Sequence, residues 1–440
     1  MLFRSLSPNH LGLRALDGGV GYVRNEKSNG AAVNLSPFLF SPQPEDRKLI
    51  MPGRMFLHTP GPTNIPEDVL SAMHRPAEDF SAPEFMETML KMFEELKDLF
   101  RTKGEVFAYI ANGHGAWEAS IVNLLSPGDE VLMPDTGRFS LVWDDMVKAF
   151  GISTHRLSND WRSPIDPQAV EDALRRDTEN KIKAVLAVHV ETATGAVSDL
   201  HAIRAAIDAA GHPALLIVDA IASFGCHALD MDDTGVDCVI AASQKGLMMP
   251  IGVAFTAAGP KALAASEACI AHREYWSWKS RMAMETYRRF CGTAPMHMVW
   301  GLMKVMEKVR EEGLDNIIAR HARLAEATRI AVSRWAESGA IEFNTLDPKA
   351  RSNSITCVRQ AGHTDMNAIR KVARERFNVS LGGGLHVLAD KAFRIGHMGD
   401  LNEPMIMGAL AGIDLTLKHL KVPHGAGALD AAASYLAETA

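Results

Sequence analysis

From Phe56 onward, short apolar runs alternate with longer amphipathic ones, which predicts an α/β fold built on a doubly wound, mostly parallel sheet. Apolar runs at 106–110, 130–133, 184–190, 215–218, 236–242 and 252–256 predict buried strands, because a strand covered on both faces shows no polar alternation. Helical spacing between them predicts helices at 167–176 and 200–210, the second capped by Asp199. Beyond about residue 295 the period changes. A helical stretch over 295–312 leads to another over 317–337, and strand-like 354–358 and 393–395 flank a helix near 366–376. The shift predicts a large domain over 51–312 and a smaller C-terminal α+β domain over 313–440. The first 50 residues are rich in turn signals such as Ser7-Pro8-Asn9, Asp17-Gly18-Gly19 and Ser41-Pro42-Gln43-Pro44. They read as an irregular leader, either disordered or a start-site artefact with Met51 or Met55 as the true start. Arg4, Arg14 and Arg24 hint at a transit peptide, and Asp17, Glu26, Glu45 and Asp46 argue against one.

Composition narrows the partners. The 440 residues are 47% hydrophobic and 22% charged, as in ordinary globular proteins. A formal net charge of -7 supplies no basic field for nucleic acid or an anionic membrane, and no apolar run is long enough to span a bilayer. The 17 histidines form no paired ligand motif, so no metal is expected. Cys226, Cys238, Cys269, Cys291 and Cys357 are odd in number and widely spaced, which predicts five reduced, buried bystanders and a cytoplasmic setting.

Candidate chemistry lies at two strand ends. Lys245, in Ser243-Gln244-Lys245-Gly246, follows the run that ends at Ala242, and Asp219 follows Val218. Seen alone, each reads as readily as a surface lysine or a turn cap. Together, at the edge where open α/β sheets bind ligands, an imine-forming amine and a carboxylate for a pyridinium nitrogen are the protein's share of pyridoxal phosphate chemistry. The turn Ala111-Asn112-Gly113-His114-Gly115 after the first strand opens a helix whose free N–H groups suit a phosphate, although such turns are often plain connections. A nicotinamide site would need GxGxxG spacing, which this turn lacks, and would leave Lys245 unexplained.

These residues resemble the class V aminotransferases of fold type I, and most closely their serine:glyoxylate and alanine:glyoxylate branch. The resemblance runs from about residue 56 to the C-terminus. It rests on Pro60-Gly61-Pro62-Thr63-Asn64-Ile65-Pro66, Gly113-His114-Gly115 with Trp117-Glu118, Glu191-Thr192-Ala193-Thr194-Gly195, Val218-Asp219, Ser243-Gln244-Lys245-Gly246 and Arg394-Ile395-Gly396-His397. It implies that Lys245 carries pyridoxal 5'-phosphate and moves the proton, and that Asp219 holds the pyridine nitrogen. By the same resemblance Asn112, Gly113, His114 and Gln244 surround the phosphate, Phe139 stacks on the ring, Thr192 lies beside it, and Thr293 is given across a homodimer interface. Arg394 takes the substrate carboxylate, a match for a guanidinium fork. The implied reaction moves an amino group from serine or alanine to glyoxylate or pyruvate by a ping-pong route. Val190, Phe80-Ser81 and 382–386 depart from the pattern, and the donor pocket is expected around Val190, Trp117 and Tyr275. Another donor such as aspartate, a lyase or desulfurase, and a non-catalytic cofactor-binding module remain open. Against a desulfurase, Cys357 lies within a strand-like segment and Cys291 precedes the interface threonine.

Overall fold

The apolar runs become strands. The computed structural model describes residues 52–282 and 289–440, so the leader read over 1–50 lies outside the described residues. Strand β1 (Phe56–His58) is followed by helices α1 (Glu67–Met73) and α2 (Pro83–Phe100). Seven strands then form one sheet: β2 (Glu105–Ala111), β3 (Glu130–Pro134), β4 (Ser153–Leu157), β5 (Ile182–Val188), β6 (Leu215–Asp219), β7 (Cys238–Ala242) and β8 (Gly252–Ala258). Their order is β2-β8-β7-β6-β5-β3-β4. Only β8 runs against the rest, antiparallel to both β2 and β7. Helices α3 (Gly113–Leu124), α4 (Arg138–Ala149), α5 (Pro167–Arg176) and α6 (Leu200–Ala209) fill the connections. Strand β6 shows why its run lacks alternation: Leu216 and Val218 enter one apolar cluster, and Leu215 and Ile217 enter another on the opposite face.

Because β2, β3, β5, β6 and β7 point the same way, the turns that follow them gather at one edge. Those turns begin at Asn112, Asp135, His189, Ala220 and Ser243. A second sheet holds β1 with β9 (Ile341–Phe343), β10 (Ile355–Gln360), β11 (Val379–Gly383) and β12 (Ala392–Gly396), in the order β1-β11-β12-β10-β9. Here β1 runs parallel to β11, which carries residues 56–58 into a sheet otherwise made from residues 341–396.

Several expectations shift. The strand expected over 184–190 stops at Val188, and Val190 instead bridges Val197 where the chain reverses. The strand expected from 236 starts at Cys238. The helix expected over 317–337 runs Leu314–Ala336, directly after Met296–Glu312. Strands β1, β4, β9 and β11 had no apolar run to announce them: β4 is Ser-Thr-His-Arg-Leu at a sheet edge and β11 carries two glycines. All five cysteines are free, but only Cys226, Cys238 and Cys357 are buried. Cys269 and Cys291 are half-buried because they sit in connections, Cys269 just past a helix and Cys291 in a turn with φ 57°. Among the described residues no helix is long and apolar enough to cross a membrane, and no cluster of His, Cys, Asp or Glu has the makings of a metal site.

Candidate active site

The turns at the shared strand edge enclose a cavity of about 250 Å³, lined by Gly61, Pro62, Asn112, Gly113, His114, Trp117, Phe139, Thr192, Asp219, Ile221, Gln244, Lys245 and Ile251. Lys245 stands three residues past β7 and is buried. Its Nζ donates to the carbonyl of Pro60, and its own carbonyl accepts from Thr63 Oγ1 at 3.0 Å. Gly61 makes this approach possible: a Cβ there would sit 2.7 Å from Lys245 Cδ, and its φ of +89° disfavours other residues. Burial pulls the Lys245 amine down to about 8, the nearby Arg394 charge adds to the fall, and Asp219 opposes it.

Asp219 closes β6, and its Oδ1 accepts the Ile221 N–H at 2.7 Å. Burial pushes its carboxyl up to about 7, against that hydrogen bond and the Lys245 charge. The Trp117 indole N–H also opposes the rise without reaching a full hydrogen bond. Trp117 is wholly buried between His114, 4.6 Å away, and Trp143, stacked at 5.6 Å. It is therefore both packing and cavity wall. Asn112 caps α3 through Gly115 N–H, and the first N–H groups of that helix, which have no intrahelical acceptor, lie at the cavity.

Ten residues were expected at the site, and the cavity brings together eight: Lys245, Asp219, Asn112, Gly113, His114, Phe139, Thr192 and Gln244. Arg394 and Thr293 are outside its lining. Arg394 is buried in β12, where its Nε donates to Gly383 O at 2.7 Å and its Nη1 to Thr192 O at 2.9 Å. Thr293 is exposed. The expected pocket wall is corrected at two positions. Val190 packs with Ala222, Cys226, Ile355 and Met398, because the chain reverses there and turns it into the core. Tyr275 is exposed in a loop, edge-on to Trp276 and under Arg281. Phe80 and Ser81 are also exposed and away from the cavity, where Asp79 accepts the Ser81 N–H at 2.9 Å.

Sequence reasoning missed Ile221 and Ile251, which had only their nearness to Asp219 and Lys245 to mark them. It also gave no role to Glu191, whose buried carboxylate accepts N–H groups from Phe139, Ser140 and Ala193. The arrangement has the polar groups a phosphorylated pyridine needs: a buried acid, a buried amine, helix-end N–H groups, and a Gln244 Oε1 that is buried with no partner among the described residues. Cys357 is inside β10 and Cys291 is outside the cavity, so no thiol is placed for sulfur chemistry there.

Known proteins of similar sequence and fold point to the same class of enzyme. Residues 55–398 match the family model described as aminotransferase class-V. The chain is 41% identical over 395 residues to a serine–glyoxylate aminotransferase of Methylorubrum extorquens, covering 88% of this chain and 97% of that one. It is 36% identical over 375 residues to an L-aspartate–glyoxylate aminotransferase of Paracoccus denitrificans, covering 85% and 94%. The crystal structure of ureidoglycine-glyoxylate aminotransferase from Bacillus subtilis superposes with a TM-score of 0.78 at 27% identity, covering 88% of this chain and 99% of that one. With a fold type I architecture, a strand-end lysine and aspartate facing one cavity, and these relatives over most of its length, the chain belongs to the class V aminotransferase family and is a transaminase that works with pyridoxal phosphate.

Proposed function

We propose that the chain transfers the amino group of a small amino acid, serine or alanine, to glyoxylate or pyruvate, and that it does so as a homodimer. The observation that carries the reading is the cavity in which Lys245 and Asp219 meet, on a chain similar over most of its length to aminotransferases named for glyoxylate. Pyridoxal phosphate, when bound, supplies the carbonyl that receives the amino group and a ring that takes up electron density from the substrate α-carbon. The residues do the rest. Lys245 Nζ, buried and with its pKa drawn down to about 8, has a neutral fraction near neutral pH and serves as the base and then the acid that moves the α-proton. Asp219 would hold the ring nitrogen, whose positive charge would keep the buried carboxylate in its charged form.

Phe139, which lines the cavity, would supply a stacking face, and Thr192 would supply a hydroxyl near the ring. The N–H groups of Gly113 and His114, with Asn112 and Gln244, hold the phosphate. Arg394, within electrostatic reach of Lys245, takes the α-carboxylate. Thr293, exposed on one protomer, completes the phosphate site of the other. The five free thiols suit a reducing compartment such as the cytoplasm. A donor panel tests the reading. Serine or alanine should bleach the bound cofactor's visible absorbance, and glyoxylate or pyruvate should restore it. Response to aspartate alone would reassign the donor, and response to none of these would refute the substrate reading.

A further inference from the structure

Glu191 is left over from the roles above, and its surroundings are unusual. It follows β5 by three residues, is 1% exposed, and has no cationic partner within ion-pair distance among the described residues. Instead its carboxylate sits on the N-terminus of α4, 52 residues earlier in the chain. Oε2 accepts the N–H of Phe139 at 3.0 Å and of Ser140 at 3.2 Å, while Oε1 accepts from Ala193 at 2.9 Å. Three N–H bonds and the positive end of a helix are what let a buried carboxylate survive, yet burial still pushes its pKa up to about 7. Ser140 Oγ accepts the N–H groups of Thr136 and Gly137 at 3.1 Å each, which closes the turn before α4 and leaves the first-turn N–H groups of Phe139 and Ser140 to the distant carboxylate.

What the distant carboxylate adds is a hold on the backbone of Phe139, whose ring forms one wall of the cavity. Two further contacts point the same way. Gly137 leaves room for the carboxylate, since a Cβ there would meet Glu191 Cγ at 2.4 Å and Cδ at 2.6 Å. On the other side of Glu191, Thr192 lines the cavity and its carbonyl accepts from Arg394 Nη1. The segment thus joins the Phe139 wall to the Thr192 wall.

We propose that Glu191 is a positioning residue whose carboxylate sets the placement of the Phe139 ring against the bound cofactor, an inference that rests on the reading of Phe139 as the stacking face. Titrating the apoprotein with pyridoxal phosphate, with quenching of tryptophan fluorescence as the readout, tests it directly, because Trp117 lies edge-on to Phe139 at 6.4 Å. Glu191→Gln should weaken binding on the order of tenfold, the scale of a lost charge-assisted bond, and Gly137→Ala, which crowds the carboxylate from the other side, should do the same. In a Phe139→Leu background the effect of Glu191→Gln should vanish, since the two act as one unit. Equal weakening in both backgrounds, or unchanged affinity with only a lower melting temperature, would overturn the proposal. Should the wild-type apoprotein bind the cofactor but Phe139→Leu not alter its affinity, the stacking reading fails and the inference falls with it.

Discussion

At the strand-edge cavity, burial raises Asp219 and Glu191 to about 7 and lowers Lys245 to about 8. In a second buried region, where the ends of β5 and β6 meet the smaller sheet, burial lowers His58, His189 and His321 to about 4, His397 to about 3, and His227 well below its ordinary value. The solvent exclusion is similar and the outcome differs. Two of the seam histidines, His321 and His397, are neutral rings with both nitrogens bonded, whereas His58 Nε2 and His189 Nδ1 are buried with no partner among the described residues. His321 donates from Nδ1 to Ile317 O at 2.7 Å and accepts the Gly399 N–H at 2.9 Å. His397 donates to Asn353 O at 2.8 Å and accepts from Thr356, and His227 accepts the Asn353 N–H at 2.8 Å. In His321 and His397, one donor and one acceptor per ring leave neither nitrogen free. At the cavity Gln244 Oε1 is buried with no partner among the described residues, and the acid and the amine are shifted toward neutral pH, where proton transfer is useful.

The contrast is broken most severely by Lys245→Ala. Turnover should fall by about 10³-fold or more, because both the cofactor anchor and the proton carrier go, and a steady-state assay with serine and glyoxylate measures it. Asp219→Asn should cut kcat on the order of 10²- to 10³-fold through lost charge at the ring nitrogen. It should not lower the melting temperature of the apoprotein, since burying that carboxylate opposes folding at neutral pH. A fall of many degrees would make Asp219 a structural acid.

The two regions also carry opposite signs in pH. Histidines lowered from 6.5 to about 4 contribute stability that is present above 6.5 and lost as pH falls toward 4, on the order of 1–3 kcal/mol each. Asp219 and Glu191, raised to about 7, bind protons in the folded state first and gain stability over the same descent. Six lowered histidines, counting His114, oppose four raised carboxyls, counting Asp237 and Asp400, so the apoprotein should melt at a lower temperature at pH 5 than at pH 7.5, as differential scanning calorimetry would show. A rise on acidification would mean the carboxylates dominate. The smallest effect belongs to His227→Gln, which keeps an acceptor for the Asn353 N–H but removes one titration. The melting temperature should become less sensitive to acid while kcat at pH 8 stays within about twofold.

The sequence made Lys245 and Asp219 readable because each ends a continuous apolar run, and a parallel sheet converts run ends into one edge. It also exposed α5 to the residue, since Asp166-Pro167 opens it with a cap and a first-turn proline. Glu191 as a cap for α4 and His227 as an acceptor for Asn353 were not readable, because each depends on partners 52 and 126 residues away that only the folded crossovers bring near. The misplacement of Val190 and Tyr275 has a related cause. Both stand near the motifs in sequence, and one local reversal and one surface loop turn their side chains elsewhere.

Borohydride reduction of the loaded protein, followed by peptide mapping by mass spectrometry, shows which lysine holds the cofactor. A single phosphopyridoxyl label is expected, on the peptide containing Lys245, and it should disappear when the protein is first saturated with an amino donor. A stable label on any other lysine, or one that the donor cannot displace, would contradict this expectation.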